Sequence, residues 1–187
     1  MPRTRSRLLK FLPKRAVGAE IGVWKGDFSA QIIEVAQPTK LYLIDPWALN
    51  EDEAHRTCWY GAEQRPDMET MFETVRQRFQ KELRQGSLAI IRQPSSVALG
   101  AMPDESLDFV YIDGDHQYRA VRQDCFLAYD KVKPGGLICG DDYADGGWWK
   151  DGVIQAFHEL IAERNVVITY ARGSQIVLRK REGSYNV

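Results

Sequence analysis

The sequence predicts an α/β fold, a mostly parallel sheet finished by a C-terminal antiparallel hairpin. Short runs rich in apolar and β-branched residues alternate with stretches of helical period, which is the mark of strands joined by helices. No internal repeat or low-complexity tract interrupts that alternation. The length, 187 residues, matches the roughly 100–200 residues of one domain, so residues 1–187 read as a single domain able to bury a sizeable core.

Strands are expected at residues 17–23, 40–45, 87–93, 107–113 and 135–140, each apolar and mostly bounded by turn residues, as in parallel strands covered on both faces. The first helix, 28–36, has Ser29 in its opening turn and Pro38 just beyond its end. The segment 67–85 sets Met68, Met71, Phe72, Val75, Phe79 and Leu83 on one stripe, with Gly86 as its stop. Tyr118, Val121, Cys125, Ala128 and Val132 recur at threes and fours, predicting a helix that Pro134-Gly135-Gly136 ends and in which Cys125 packs. A further helix falls at 153–164, and the runs 166–171 and 175–180 flank Arg172-Gly173-Ser174 as a hairpin. Residues 46–66 exceed the roughly 2–6 residues of a βα loop and read as a lid.

Composition narrows the function. Hydrophobic residues at 44% and charged residues at 27% exclude a disordered or fibrous chain. Net charge is −1, but six of the 25 basic residues and none of the 26 acids precede residue 16, so the remainder carries −7. That acidic body argues against nucleic acid as partner, and residues 1–16 are expected to be an ordinary solvated basic segment. Lys10 interrupts the only leader-like apolar stretch, and no run approaches the ~18 apolar residues of a membrane span, so a cytoplasmic protein with no membrane partner is expected. Cys58, Cys125 and Cys139 are odd in number and lack a C-x-x-C spacing, which indicates neither a disulfide framework nor a zinc knuckle. His55 and Cys58 offer two metal ligands with no second pair.

The first strand runs into Glu20-Ile21-Gly22-Val23-Trp24-Lys25-Gly26, a glycine-containing turn opening a helix, where backbone can come close to a ligand. Asp45, 23 positions after Gly22 at the end of the second strand, is placed to accept both ribose hydroxyl protons. Trp24 stands where a dinucleotide site needs its second glycine, so a pyrophosphate is poorly served. S-adenosylmethionine has ribose and adenine without phosphate, and its cationic methionine end suits the carboxylate of Glu20. A tight turn with a buried strand-end acid is the alternative.

These residues, with Asp27-Phe28-Ser29, Leu43-Ile44-Asp45-Pro46-Trp47, Asp113-Gly114-Asp115-His116-Gln117-Tyr118 and Pro134-Gly135-Gly136 running into Asp141-Asp142-Tyr143, resemble the class I S-adenosylmethionine-dependent methyltransferases. More narrowly they are similar to a bacterial small-molecule branch near the macrocin-type and other sugar O-methyltransferases, over roughly residues 17 to 180. The resemblance implies a Rossmann-like, doubly wound sheet of seven strands with the cofactor across the carboxyl ends of the first ones. It implies cofactor contacts from Glu20, Gly22, Trp24, Gly26, Ser29, Asp45 and Asp113, with Ser95 or Ser96 near the adenine.

Asp113 ends the fourth strand and Asp141-Asp142 the fifth, and neighbouring strands lie ~4.8 Å apart, so three carboxylates converge. Such a group holds a proton, splays into water or binds a divalent cation, and all-oxygen ligation suits Mg²⁺, Mn²⁺ or Ca²⁺. The resemblance favours Mg²⁺ (or Mn²⁺) on Asp113, Asp141 and Asp142; the alternative is structural use, such as capping the turn before Trp148. A cation would ease deprotonation of a hydroxyl acceptor, with His116 or Asp115 as base, unless His116 only caps the next helix. Trp148, Trp149, Trp47, Trp59 and Tyr60 are candidate stacking surfaces for a flat or sugar-like substrate, with packing as the alternative. The expected partner is a small hydroxyl acceptor, and self-association into a homo-oligomer stays open. The rival readings are a metal-independent methyltransferase and a catalytically silent binding module. The fourth strand lacks the Asn/Asp-Pro-Pro-aromatic signature of base-methylating enzymes.

Overall fold

In the computed structural model, residues 5–49, 55, 58 and 67–183 are described. Seven strands form one sheet in the order β3-β2-β1-β4-β5-β7-β6: β1 (Val17–Ile21), β2 (Lys40–Ile44), β3 (Leu88–Ile91), β4 (Leu107–Ile112), β5 (Val132–Gly140), β6 (Val166–Arg172) and β7 (Gln175–Lys180). The first five pair in parallel, and β7 runs antiparallel to both β5 and β6. This is the doubly wound, Rossmann-like sheet with a C-terminal hairpin. The hairpin turns on Gly173 and Ser174, both at positive φ, the backbone that matches strand twist in a two-residue loop.

Alternation along the strands divides the core. Val110 and Ile112 of β4 face a cluster with Leu99, Val121, Ile138 and Phe157, whereas Phe109 and Tyr111 face one with Phe28, Ile32, Leu41 and Val177. Helix α2 (Asp27–Ala36) covers the second face; α5 (Ser95–Gly100), α6 (Tyr118–Lys131) and α7 (Gly152–Glu163) cover the first. Strand order reverses between β1 and β4, so a crevice opens beyond their carboxyl ends.

Three expectations are corrected. The basic N-terminal segment is not simply solvated. Helix α1 (Arg5–Leu8) and the residues after it bury Leu8, Leu9 and Leu12 in the second core, because three leucines spaced one and three apart fit the groove beside Phe28 better than water. The stripe over 67–85 is two helices, α3 (Met68–Arg78) and α4 (Gln80–Gln85), broken at Phe79, whose ring lies under the turn at Gly26. The Pro134-Gly135-Gly136 run does not follow the helix as a stop: α6 ends at Lys131, and those residues bulge within β5, between the pairs Leu107 with Val132 and Phe109 with Leu137. Gly136 is required there, since a Cβ would lie 2.6 Å from Val132 and 2.8 Å from the Asp108 carbonyl.

The short helices α1 and α5 fall below the length at which periodicity is readable. Among the described residues no helix is long and apolar enough to cross a membrane. Of the expected lid, residues 46–49, His55 and Cys58 are described; Trp59 and Tyr60 lie outside the described residues.

Leu8 has no exposed surface, so Leu8→Ala should destabilise the protein by about 2–5 kcal/mol in urea unfolding, as a core leucine does. A change within about 0.5 kcal/mol would return the segment to solvent.

Candidate active site

A cavity of about 690 Å³ occupies the crevice beyond β2, β1 and β4. Its floor is the turn after β1. Gly22 sits at φ 82° because the chain leaving β4 passes over it: a Cβ there would lie 2.0 Å from the Asp113 carbonyl oxygen. Asp45 fixes the turn, its Oδ2 accepting from the backbone N–H of Val23 (2.9 Å) and Trp24 (3.0 Å) and its Oδ1 from that of Trp47 (2.7 Å). A carboxylate has about four lone-pair directions, so capacity remains for a ribose hydroxyl. The Trp47 indole N–H donates to the Trp24 carbonyl at 2.9 Å, tying the β2 end to the same turn.

Of the residues expected at a cofactor, Glu20, Gly22, Trp24, Asp45, Ser95, Ser96 and Asp113 line the cavity. Gly26 and Ser29 do not. Gly26 starts α2 at φ 73° above Phe79, and the Ser29 hydroxyl donates to Glu20 Oε2, so both act through their neighbours. Of the two readings open for Trp47, packing holds: it is buried against Phe72 and not on the cavity wall, and its N–H is used at the turn. Trp148 and Trp149 do line the cavity.

The acids beyond β4 and β5 are neutralised in several ways. Arg5 Nη2 lies 2.6 Å from Asp113 Oδ2 and also contacts Asp141, and its guanidinium lies 5.4 Å from the centre of the Phe28 ring. Asp141 further accepts from the Gln175 amide and from the Asp142 backbone N–H (2.8 Å), so it is tied into the β5 turn and does not line the main cavity. His116 Nε2 lies 2.7 Å from Asp142 Oδ2 and 3.9 Å from Asp113 Oδ1. Asp113, His116 and Asp142 thus offer ligand atoms within 4.8 Å of one another. His116 does not cap α6, whose N-cap is Gln117; instead Asp115 Oδ1 accepts the Gln117 N–H at 2.8 Å while its Oδ2 lies 2.9 Å from His55 Nε2.

Burial pushes the Asp113 carboxyl up to about 6, against the pull of Arg5 and His116. Burial opposes charge on His116, but the bond to Asp142 and the charge of Asp113 outweigh it and raise its pKa. Glu20, fully enclosed, is pushed by burial up to about 8 despite its bond from Ser29. Arg5, which lines the cavity and pairs with Asp113 and Asp141, is the residue that sequence reasoning missed; its signal was the leucine set that anchors α1.

Residues 19–143 match the methyltransferase-domain family, more than half of the chain, and the chain belongs to it. The chain thus carries that family's methyltransferase domain, on a sheet its solved neighbours share. Among curated proteins, uncharacterized protein R132 of Acanthamoeba polyphaga mimivirus is 40% identical over 65 residues, 35% of this chain and 28% of that protein's length. Solved structures share the fold. A protein from Corynebacterium glutamicum superposes at TM-score 0.67 with 11% identity, covering 98% of this chain and 81% of that one. An O-methyltransferase from Bacillus cereus in complex with S-adenosylhomocysteine superposes at 0.65 with 16% identity, covering 97% and 82%. The N-methyltransferase NodS from Bradyrhizobium japonicum superposes at 0.59 with 15% identity, covering 96% and 95%.

The shift of Glu20 makes a stability prediction. Its folded-state pKa of about 8 exceeds the usual 4.5, so the folded chain holds a proton that the unfolded chain releases between those values. Stability from that proton is present below the lower value and lost as pH rises through about 8. Glu20→Gln should therefore raise the melting temperature relative to the native chain at pH 8, with the gap shrinking towards pH 5. A gap that widens in acid would contradict the buried, protonated carboxyl.

Proposed function

We propose that the chain transfers the methyl group of S-adenosylmethionine to a hydroxyl of a small molecule, with His116 as the base. The observation that carries this reading is the His116–Asp142 pair at 2.7 Å beside Asp113, in the cavity that Trp148 and Trp149 wall. S-adenosylmethionine supplies an electrophilic methyl group, and the acids at the strand ends suit its positive charge. Asp45 has a free acceptor direction for ribose, and Glu20 and Asp113 stand at the cationic end. The Asp142 carboxylate accepts from Nε2–H of His116, which leaves Nδ1 as the basic nitrogen; it is buried and has no hydrogen-bond partner among the described residues. His116 takes the acceptor's hydroxyl proton, and Asp142 stabilises the imidazolium that forms. Asp115 is engaged by His55 and Gln117, which argues for His116 over it as base. The two indoles exclude water and offer a stacking surface to a planar or sugar-like acceptor.

The donor set fits a divalent cation: two carboxylates and an imidazole within 4.8 Å of one another. Asp113 and Asp142 would hold the ion, Mg²⁺ or Mn²⁺ by their oxygen chemistry, and it would lower the pKa of the acceptor hydroxyl. Asp141, the third acid expected, is turned towards Arg5 and Gln175. A second reading, catalysis without metal, is favoured by Arg5, which already brings a positive charge to Asp113 and Asp141.

Calorimetry should show S-adenosylhomocysteine binding in the micromolar range and NAD not binding; Asp45→Ala should weaken the former by about 1.5–3 kcal/mol. Equal affinity for NAD would refute the cofactor assignment. In a methylation assay with a hydroxyl acceptor, His116→Ala should lower turnover about 10²–10⁴-fold while leaving S-adenosylhomocysteine affinity nearly unchanged. EDTA should abolish turnover and Mg²⁺ or Mn²⁺ restore it; full activity in EDTA selects the metal-free reading.

A further inference from the structure

Gln175, the first residue of β7, stands behind the strand ends and does not line the cavity. It is 1% exposed, and both ends of its amide are committed. Its Oε1 accepts from the Tyr111 hydroxyl at 3.4 Å, while its Nε2 donates to Asp141 Oδ1 and to the Ser174 carbonyl, the latter at 3.2 Å. An amide held in this way turns its donor end to Asp141. Both oxygens of Asp141 are thereby engaged: Oδ1 takes the Gln175 amide and the Asp142 backbone N–H at 2.8 Å, and Oδ2 takes Arg5.

Asp142 depends on that arrangement. Its backbone is left-handed, at φ 49°, a conformation that a residue with a side chain keeps only where its neighbours impose it. Three hydrogen bonds impose it. The Asp142 N–H goes to Asp141, the Asp142 carbonyl accepts from the Ala144 N–H at 2.7 Å, and the Tyr143 N–H donates to the Ser174 carbonyl at 3.0 Å. Two of the three lead back to the tip of the β6–β7 hairpin, one through Ser174 and one through Gln175. From this left-handed position the Asp142 carboxylate lies 2.7 Å from His116 Nε2. Of the two adjacent acids, the first is drawn to Gln175 and Arg5, and the second is left to face the imidazole.

Resting on the reading that His116 is the base and Asp142 its partner, we propose that Gln175 is a positioning residue of the active site. Its amide, anchored by Tyr111, orients Asp141; Asp141 holds the backbone of Asp142; and Asp142 is thereby presented to the imidazole. The hairpin added to the end of the parallel sheet thus sets the geometry of a pair carried by β5 and the loop after β4.

The test follows the Nε2–H proton of His116 by NMR on the full chain in EDTA, so that no metal competes for Asp142. A ring N–H donated to a carboxylate gives a low-field resonance that exchanges slowly with water, and its loss in His116→Ala identifies it among the three histidines. Gln175→Met nearly keeps the length and volume but has no donor, and it should speed that exchange about tenfold or more, the worth of one hydrogen bond. Tyr111→Phe removes only the hydroxyl that fixes the direction of the amide; it should speed exchange about threefold or more, and it decides the matter if the methionine variant does not fold. Ile176→Val loosens the same strand in the core without touching the amide and should leave the rate within about twofold of native. A native rate in Gln175→Met, or in Tyr111→Phe where that variant decides, would overturn the proposal, as would an equal rise in Ile176→Val. Absence of the low-field resonance from the native protein would instead sink the pairing of His116 with Asp142, and with it the assignment of the base.

Discussion

Everything at the site follows from the crowding of carboxylates at the tips of four adjacent strands. Glu20, Asp45, Asp113, Asp141 and Asp142 belong to β1, β2, β4 and β5 or the residues just after them, and neighbouring strands are only ~4.8 Å apart. Left ionised and unpartnered, they would drive the strand ends apart. Each is relieved differently: Asp45 by three backbone N–H groups, Glu20 by a retained proton, Asp113 and Asp141 by Arg5, and Asp142 by His116.

The shape of the cavity is set by the core. Gly22 turns under the Asp113 carbonyl, Gly26 turns over Phe79, and Trp47 is buried with its N–H on Trp24. Each contact fixes the 22–26 turn before any ligand arrives, so little ordering is charged against binding. The break between α3 and α4 belongs to the same design: a continuous helix would carry Phe79 past the turn it supports.

Strands, the crossover helices and the hairpin were legible because their apolar periods are strong, and the acids that line the cavity, Glu20, Asp45 and Asp113, were legible because they sit at strand ends. Side-chain partnerships were not. Nothing in the spacing of Asp141 and Asp142 says that the first turns to Gln175, because β7 reaches that edge from 34 residues away. Ser29 and Gly26 have the right sequence offsets yet act one contact removed from the cavity. Trp47 had the composition of a stacking residue but was claimed by the core, where a large indole buries more apolar area than a cavity wall allows.

Arg5 was hidden for another reason: a run of basic residues predicts a solvated arm unless the leucines between them find a groove. Once Leu8, Leu9 and Leu12 are buried, α1 is anchored and Arg5 is delivered to Asp113 at little further entropic cost. Breaking a buried pair by deleting one partner costs about 3–5 kcal/mol, mostly because the survivor is left charged and alone. Here the guanidinium spans Asp113 and Asp141 and also faces the ring of Phe28, so the two acids share one cation, and the segment that supplies it is held both by its leucines in the core and by its charge at the strand ends.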